Sequence, residues 1–578
     1  MTARTRLALS ALALPLLAAC ASAPPASSSM PAAPPVVAVD NVAHPQGETP
    51  AWWYRSGAAR AAANGAMAGK AKNVILFLGD GMSLTTVAAA RILEGQRHGN
   101  PGEENQLSWE RFPATGFSKT YNTDSQTPDS AGTMTAIATG VKTRMGVIGE
   151  SDTPRADCAP SLDKPLLTWL QLADSAGMAT GVVTTTRLTH ATPAAMYAKS
   201  PERNWESDAD LPPAAAEAGC RDIAGQLLTT AGAGHGPTVA MGGGRGQFMP
   251  AGERDPQFDD KVGLRLDGRD LIGEWRQANP QGAYVHTTAQ LDAAADAPAL
   301  LGLFDYDHMS FDHDRNTGPD GEPSLAQMTR AAVRTLSRNP DGFVLMVEGG
   351  RIDHANHYGN AFRALDETIA LSDAVRAAQE TAPPDTLIIV TADHSHVLNF
   401  MGYPVRGNPI LGKVRGTGGE DGDRSQYARD LAGQTYTTLS YANGPGYPGA
   451  SNAQPEGPKH FIHEPADIAT ARGRPNLDTV NTEDPDYLQE SMIPMKAESH
   501  GGDDVGVWAT GPGSNAVHGT MEENVLYHVI VQATPKLRER LCQAGTCNAD
   551  GVPVELPKIA DFPSAVGADR LSAPEPRH

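Results

Sequence analysis

Six short apolar runs set the limits on how this chain can fold. They span residues 74–78, 180–183, 238–241, 343–347, 386–390 and 505–509, and are rich in Val, Ile, Leu and Phe. Runs this short and this apolar read as parallel strands covered on both faces. Longer stretches with helical spacing lie between them, such as 166–176, which follows Pro165, and 360–379. Strand alternating with helix predicts an α/β fold: a doubly wound, mostly parallel central sheet with helices on both faces. Two regions break the alternation. Residues 245–325 are rich in Asp, Gly and Pro and read as an insertion; residues 400–495 carry many Gly, Pro, Tyr and Asn and read as a loop-and-strand subdomain. From about Asp550 the chain is rich in Pro and charge, which predicts a loose tail.

The N-terminus predicts export. Arg4 and Arg6 precede an apolar run, 7–17, that is too short to span a bilayer. The run ends Leu17-Ala18-Ala19-Cys20, which resembles a bacterial lipoprotein signal with Cys20 as the lipid-bearing first residue. An ordinary cleaved signal with Cys20 as a bystander is the competing reading. Ser22 favours the outer membrane, and the domain is expected in the periplasm on a lipid anchor. The expected organisation is a signal over 1–19, a tether rich in Ala, Pro and Ser over 20–46, a catalytic domain over 47–548 and a tail over 549–578. Four further cysteines, an even number in an exported chain, predict two disulfides. Cys542 and Cys547 make the natural short loop, leaving Cys158 with Cys220; free buried thiols are the alternative.

Charge narrows the partners. The 578 residues hold 46 Lys and Arg against 67 Asp and Glu, a net −21. That excess argues against a nucleic-acid partner, which needs a basic face. Taken alone it also weighs against any anionic substrate.

The residues that follow the strands carry the chemistry. Residues 74–78 lead into Gly79-Asp80-Gly81, 343–347 into Glu348-Gly349-Gly350, and 386–390 into Thr391-Ala392-Asp393-His394. Open parallel sheets bind ligands beyond the carboxyl ends of their strands, and here three such ends offer a carboxylate. Together with histidines they predict a metal site. Asp353 and His357 stand four apart and share one face of a helix, whereas His354 points elsewhere and reads as a polar supporting or surface group. Glu498-Ser499-His500-Gly501-Gly502 offers a further His beside flexible backbone. Imidazole with carboxylate favours zinc; carboxylate with hydroxyl favours magnesium.

Thr127-Pro128-Asp129-Ser130-Ala131-Gly132-Thr133 offers a nucleophile. Pro128 fixes a turn, and Ser130 then opens a helix at its positive end, beside free N–H groups suited to an anion. A plain N-cap serine is the alternative from this segment alone. No His-based triad lies nearby, so activation must come from a metal.

These motifs, with Thr189-His190-Ala191-Thr192-Pro193, Arg203-Asn204-Trp205 and Ser395-His396, give the chain a resemblance to the alkaline phosphatase family over about residues 48–548. It resembles the animal-type branch more than the enteric bacterial one, in a bacterial lipoprotein form. The resemblance implies hydrolysis of small phosphate monoesters through a phosphoserine on Ser130, at alkaline pH. It implies one zinc on Asp353, His357 and His500, a second on Asp80, Asp393 and His394, and a magnesium on Asp80, Thr192 and Glu348. Arg203 would grip the phosphate, with Asp129, His190 and His396 in support. It implies a homodimer through an arm around Trp52-Trp53-Tyr54, a crown subdomain over 400–495, and both cysteine pairings. A calcium at Phe304, Asp305 and Glu322 belongs to that branch, but Gln257 stands where a Glu is usual. With the ions bound, their charge outweighs that of the four carboxylates, so the acid excess no longer bears against a phosphate ester. A phosphodiesterase of the same superfamily usually lacks the magnesium ligands and the arginine. A sulfatase would need Cys or Ser in a Cys/Ser-x-Pro-x-Arg setting, which this chain lacks. A non-catalytic metal- or phosphate-binding lipoprotein is the remaining alternative.

Overall fold

A computed structural model describes residues 34–44, 46–229, 235–416 and 423–565. The signal, Cys20 and most of the tether lie outside them.

Ten strands form one sheet: β1 (Asn73–Gly79), β2 (Ala114–Lys119), β3 (Ala179–Arg187), β4 (Val239–Gly243), β5 (Ala283–Val285), β6 (Leu300–Leu303), β7 (Phe343–Gly349), β8 (Thr386–Thr391), β9 (Val505–Thr510) and β10 (Gly519–Glu522). Their order is β10-β2-β9-β8-β1-β7-β3-β4-β6-β5. The centre is β1, with Val74 opposite Val344 on one side and Leu387 on the other. Every residue of β1, β7 and β8 is buried. Successive residues alternate between the faces, so Leu76, Leu78 and Met346 join one core while Ile75, Phe77 and Val347 join a second. The first core is closed by α1 (Pro50–Ala63), α3 (Ser130–Thr139) and α7 (Val525–Ala533). The second is closed by α2 (Leu84–Arg97), α4 (Leu325–Leu336) and α6 (Ala361–Thr381). A sheet apolar on both faces must be covered twice, and these helices do so.

Local chemistry sets the helix starts. Ser83 accepts a bond from Thr86 N, Asn360 from Arg363 N, and Ser324 forms a capping box with Gln327. The expected helix over 166–176 is shorter, Trp169–Ser175, because the Thr168–Gln171 capping box starts it three residues later.

Three expectations need correction. The run 505–509 is a strand, but β9 pairs antiparallel with both β8 and β2. The chain leaves β8 at the carboxyl edge, builds the 400–495 region there and re-enters at that same edge, so β9 must run backwards. Residues 245–325 are more than an insertion: β5 and β6 extend the main sheet beyond β4. They are only three and four residues long, which let the flanking Asp, Gly and Pro hide them. The tail is docked through its first part, since Val552, Val554 and Phe562 are buried; residues 566–578 lie outside the described residues.

Residues 400–495 carry a three-stranded sheet (Leu398–Phe400, Leu439–Gly444, Ser491–Pro494) and a two-stranded one. Disulfides join Cys158 to Cys220 and Cys542 to Cys547. Among the described residues no helix is long and apolar enough to cross a membrane.

Candidate active site

The carboxyl edge at β1, β7 and β8 brings the predicted residues together. Asp80 directly follows β1, Glu348 is the second-to-last residue of β7, and Asp393 stands two residues after β8. Because β9 runs backwards, His500 just ahead of it reaches the same edge, where His500-Gly501 pairs with Ser395-His396. Asp353 and His357 lie on the helix that follows β7, α5 (Arg351–His357). Gly81 sits at φ +65°, and a Cβ there would stand 2.3 Å from the His396 ring, so the turn after Asp80 requires glycine.

Ser130 is the first residue of α3, and the N-cap is Asp129, whose Oδ1 accepts from Gly132 N. The serine is therefore spared the capping task. Its buried Oγ donates to Asp80 Oδ1 at 3.3 Å and lies 3.1 Å from His394 Nε2. Asp129 Oδ2 accepts from Gly146 N at 3.0 Å and from Arg203 Nη1 at 3.1 Å. Arg203 Nη2 lies 3.1 Å from His190 Nε2. The segment carrying Arg203 is tied down on both sides: Glu202 pairs with Arg155, Glu206 with Arg187, and Trp205 packs in a small core with Cys158 and Cys220.

Three groups of lone pairs converge. His357 Nδ1 is 2.6 Å from the Glu498 carbonyl and His500 Nδ1 is 2.8 Å from the Pro128 carbonyl. A carbonyl only accepts, so both Nδ1 atoms carry the hydrogen and both Nε2 atoms present lone pairs. Those Nε2 atoms lie 3.1 Å apart, each 3.3 Å from Asp353 Oδ1. Two bare imidazole lone pairs facing each other and one carboxylate oxygen fit a cation. In the second group, His394 Nε2 is 3.3 Å from Asp80 Oδ1 and 3.5 Å from Asp393 Oδ2. In the third, Glu348 Oε2 accepts from the Thr184 and Thr186 hydroxyls, while Glu348 Oε1 is buried without a partner. Thr192 Oγ1 donates to Asp80 Oδ2 at 3.5 Å, and Asp80, His190 and Glu348 form one cluster. The residues thus fit metal ions at all three places.

The electrostatics agree. Burial, then the neighbouring Asp393 and Asp353, pushes the Asp80 carboxyl well above the usual range. Burial lifts Glu348 to about 7 and Asp393 to about 6. Burial alone would lower His396, but Glu498 and Asp353 on either side lift it to about 10. Its Nε2 is 2.7 Å from Asp353 Oδ1 and its Nδ1 2.5 Å from Glu498 Oε2. His396 is therefore a cation that aims Asp353, in keeping with a supporting role. His354 turns away toward Arg351.

Sequence reasoning passed over Glu498, Thr133, Thr184 and Thr186. Thr133 donates to Asp393 Oδ2 at 3.3 Å. Its place one helical turn after Asp129 was a usable signal, whereas Thr184 and Thr186 sit among apolar strand residues that hid them.

Of the expected calcium residues, Asp305, next to Phe304, lies beside Glu322. Asp305 and Glu322 form a hydrogen-bonded pair, and burial with that bond lifts Glu322 to about 8. Asp255 nearby is taken by Arg245, through bonds of 2.7 and 2.8 Å, and Gln257 Oε1 is buried without a partner.

A family model for alkaline phosphatase matches residues 71–535. The human tissue-nonspecific isozyme of alkaline phosphatase is 41% identical over 473 residues, 80% of this chain and 83% of that protein. An alkaline phosphatase of Gadus morhua is 40% identical over 80% of this chain and 92% of its own. Among solved structures, the Thermus thermophilus alkaline phosphatase aligns with a TM-score of 0.57 at 25% identity, over 81% of this chain and 92% of its own. That of the Antarctic bacterium TAB5 aligns at 0.52 and 20% identity, over 81% and 98%, and speaks to the fold alone. A match over most of the chain and relatives this similar place the protein in the alkaline phosphatase family.

Proposed function

We infer that the protein is a metal-dependent hydrolase of phosphate monoesters, with Ser130 as its nucleophile. One observation carries this reading: a serine relieved of capping duty opens a buried helix within 3.3 Å of Asp80 and 3.1 Å of His394, where lone pairs converge. Two zinc ions and one magnesium suit the three donor groups; when bound they supply the positive charge and Lewis acidity that favour ionised oxygens on both sides of phosphorus.

The residues divide the remaining work. Ser130 Oγ gives up its proton to solvent and attacks phosphorus in line; the P–O bond to the leaving group breaks, and the alkoxide released takes a proton from water, leaving a phosphoserine. Arg203, aimed by Asp129, presents its fork to two equatorial oxygens. The first N–H groups of α3 face the same anion. Water then cleaves the phosphoserine from the side the alcohol left. Two in-line steps retain configuration at phosphorus, and the need for ionised oxygens places the optimum on the alkaline side.

Several finer points belong to the same proposal. A homodimer is supported by Phe400, Met492, Ile493 and Met495, exposed on or beside the edge strands of the three-stranded sheet, rather than by the expected arm, whose Trp53 and Tyr54 are buried in their own chain's core. Calcium at Asp305 and Glu322 would replace the proton that burial holds on Glu322. Export and a lipid anchor at Cys20, with the domain in the periplasm at the outer membrane, rest on the N-terminal sequence; the mass of the mature N-terminus tests them.

The test is an assay of an aryl phosphate monoester, the matching diester and an aryl sulfate at alkaline pH, with and without chelator. The monoester should be turned over fastest and chelator should abolish it. Faster diester or sulfate turnover would overturn the reading.

A further inference from the structure

Beside the metal-binding residues lies a cavity of about 370 Å³, lined in part by His308, Arg351, His354, His357, Glu464 and Lys496. Its position follows from the site. Ser130 stands with Asp80 and His394, so an in-line leaving group departs on the opposite side, toward Asp353, His357 and His500. His357 belongs to that group and also lines the cavity. The cavity is therefore where the alcohol portion of a substrate goes.

Its charge is unusual. Arg351 rests over the Phe311 ring at 3.9 Å and its Nη1 lies 2.7 Å from His354 Nδ1, but its Nε is buried without a partner. Among the described residues neither Arg351 nor Lys496 forms an ion pair with a carboxylate. Arg187, close by, is by contrast fully matched by Glu206 and Asp307. The one acid on the wall, Glu464, accepts a bond from the Tyr358 hydroxyl at 3.2 Å. Among the lining residues two cations meet one carboxylate. Glu367, Asp307 and Glu322 act on Arg351 from farther off without an ion pair, so an incoming anion can still reach it in a partly desolvated space, where it gains more than at an open surface.

We propose that this cavity is a leaving-group subsite that selects phosphate monoesters whose alcohol carries a second anionic group, a carboxylate or another phosphate, with Arg351 and Lys496 as the residues that read it. The proposal rests on the phosphomonoesterase reading above and names its substrate class.

The experiment uses the zinc- and magnesium-loaded protein with three esters: phenyl phosphate, its para-carboxylate and its para-trimethylammonium analogue. The quantity read is kcat/KM for the carboxylate ester over that for the ammonium ester, compared between wild type and variant. Comparing the two proteins cancels the intrinsic reactivity of the leaving groups. Lys496→Ala should lower this ratio about threefold and Lys496→Glu about tenfold, the scale of single charge contacts. Arg351→Gln should lower it by a similar factor, provided bound zinc and the unfolding midpoint match wild type. Lys496 is exposed, so its two variants test the idea even if Arg351→Gln does not fold. A ratio unchanged within twofold in both Lys496 variants overturns the subsite. Loss of all three activities in wild type would instead overturn the phosphomonoesterase reading.

Discussion

Two regions of this molecule gather buried carboxylates, and they neutralise them differently. At the carboxyl edge of β1, β7 and β8, four acids meet imidazoles whose Nδ1 atoms are tied to backbone carbonyls, so that bare lone pairs face one another. Among the described residues only His396, on Asp353, supplies a donor to that arrangement, and the imidazole lone pairs are left bare. In the 245–325 region Asp255 is satisfied by both arms of Arg245, and burial beside Asp305 keeps the Glu322 carboxyl protonated, with Ser310 N donating to it. The first cluster requires cations to work; the second can persist without one. Clustered acids alone do not mark a metal site, and the direction in which their histidines are anchored does.

Breaking the first cluster should have the larger effects. Ser130→Ala should lower kcat by about a thousandfold or more while zinc content stays near wild type, checked by turnover and metal analysis. Asp353→Asn leaves His357 and His500 without their shared carboxylate and removes a partner of His396; zinc affinity should fall by about 10–100-fold or more, read by competition with a chelator. Arg203→Ala should raise KM and the inhibition constant for inorganic phosphate by about tenfold or more, with metal content unchanged.

The second cluster should respond through stability instead. Glu322 holds its proton up to about pH 8 in the folded protein and releases it near 4.5 when unfolded, so the folded state binds the extra proton between those values. Stability from this group is complete below pH 4.5 and is lost as pH rises to 8 and beyond, a loss of about 5 kcal/mol at most. Glu322→Gln should flatten that part of the pH dependence of the unfolding midpoint, and calcium should offset the loss at pH 8 more than at pH 5. The smallest effect is expected from Gln257→Glu. A third carboxylate there should increase the calcium-dependent rise in midpoint by a degree or so, about 0.5 kcal/mol. If the wild-type midpoint is flat between pH 4.5 and 8, the contrast between the regions fails.

The site was more legible in the sequence than the sheet that carries it. Asp80, Asp393 and His394 follow directly on apolar strands, and Asp353 and His357 have helical spacing, so local pattern was enough. The direction of β9 was not local. It depends on the chain returning over about a hundred residues to the edge it left, which no periodicity in 505–509 records. Strands β5 and β6 escaped because they are short and flanked by turn residues, and β2 because its burial alternates rather than running continuously. Glu498 and the threonines around Glu348 were hidden for a related reason. Their work is to aim other side chains, and that becomes visible only when distant segments are placed side by side.

The central claim, that Ser130 carries the phosphoryl group between two in-line steps, is tested most directly by trapping the intermediate. Protein turning over an aryl phosphate should be quenched rapidly in acid, digested and examined by mass spectrometry. The account predicts phosphate on the peptide containing Ser130, at a level that rises as the reaction is moved toward lower pH, and none in Ser130→Ala. Hydrolysis that proceeds at the full rate with no phosphate on that peptide, or unchanged in Ser130→Ala, would contradict it.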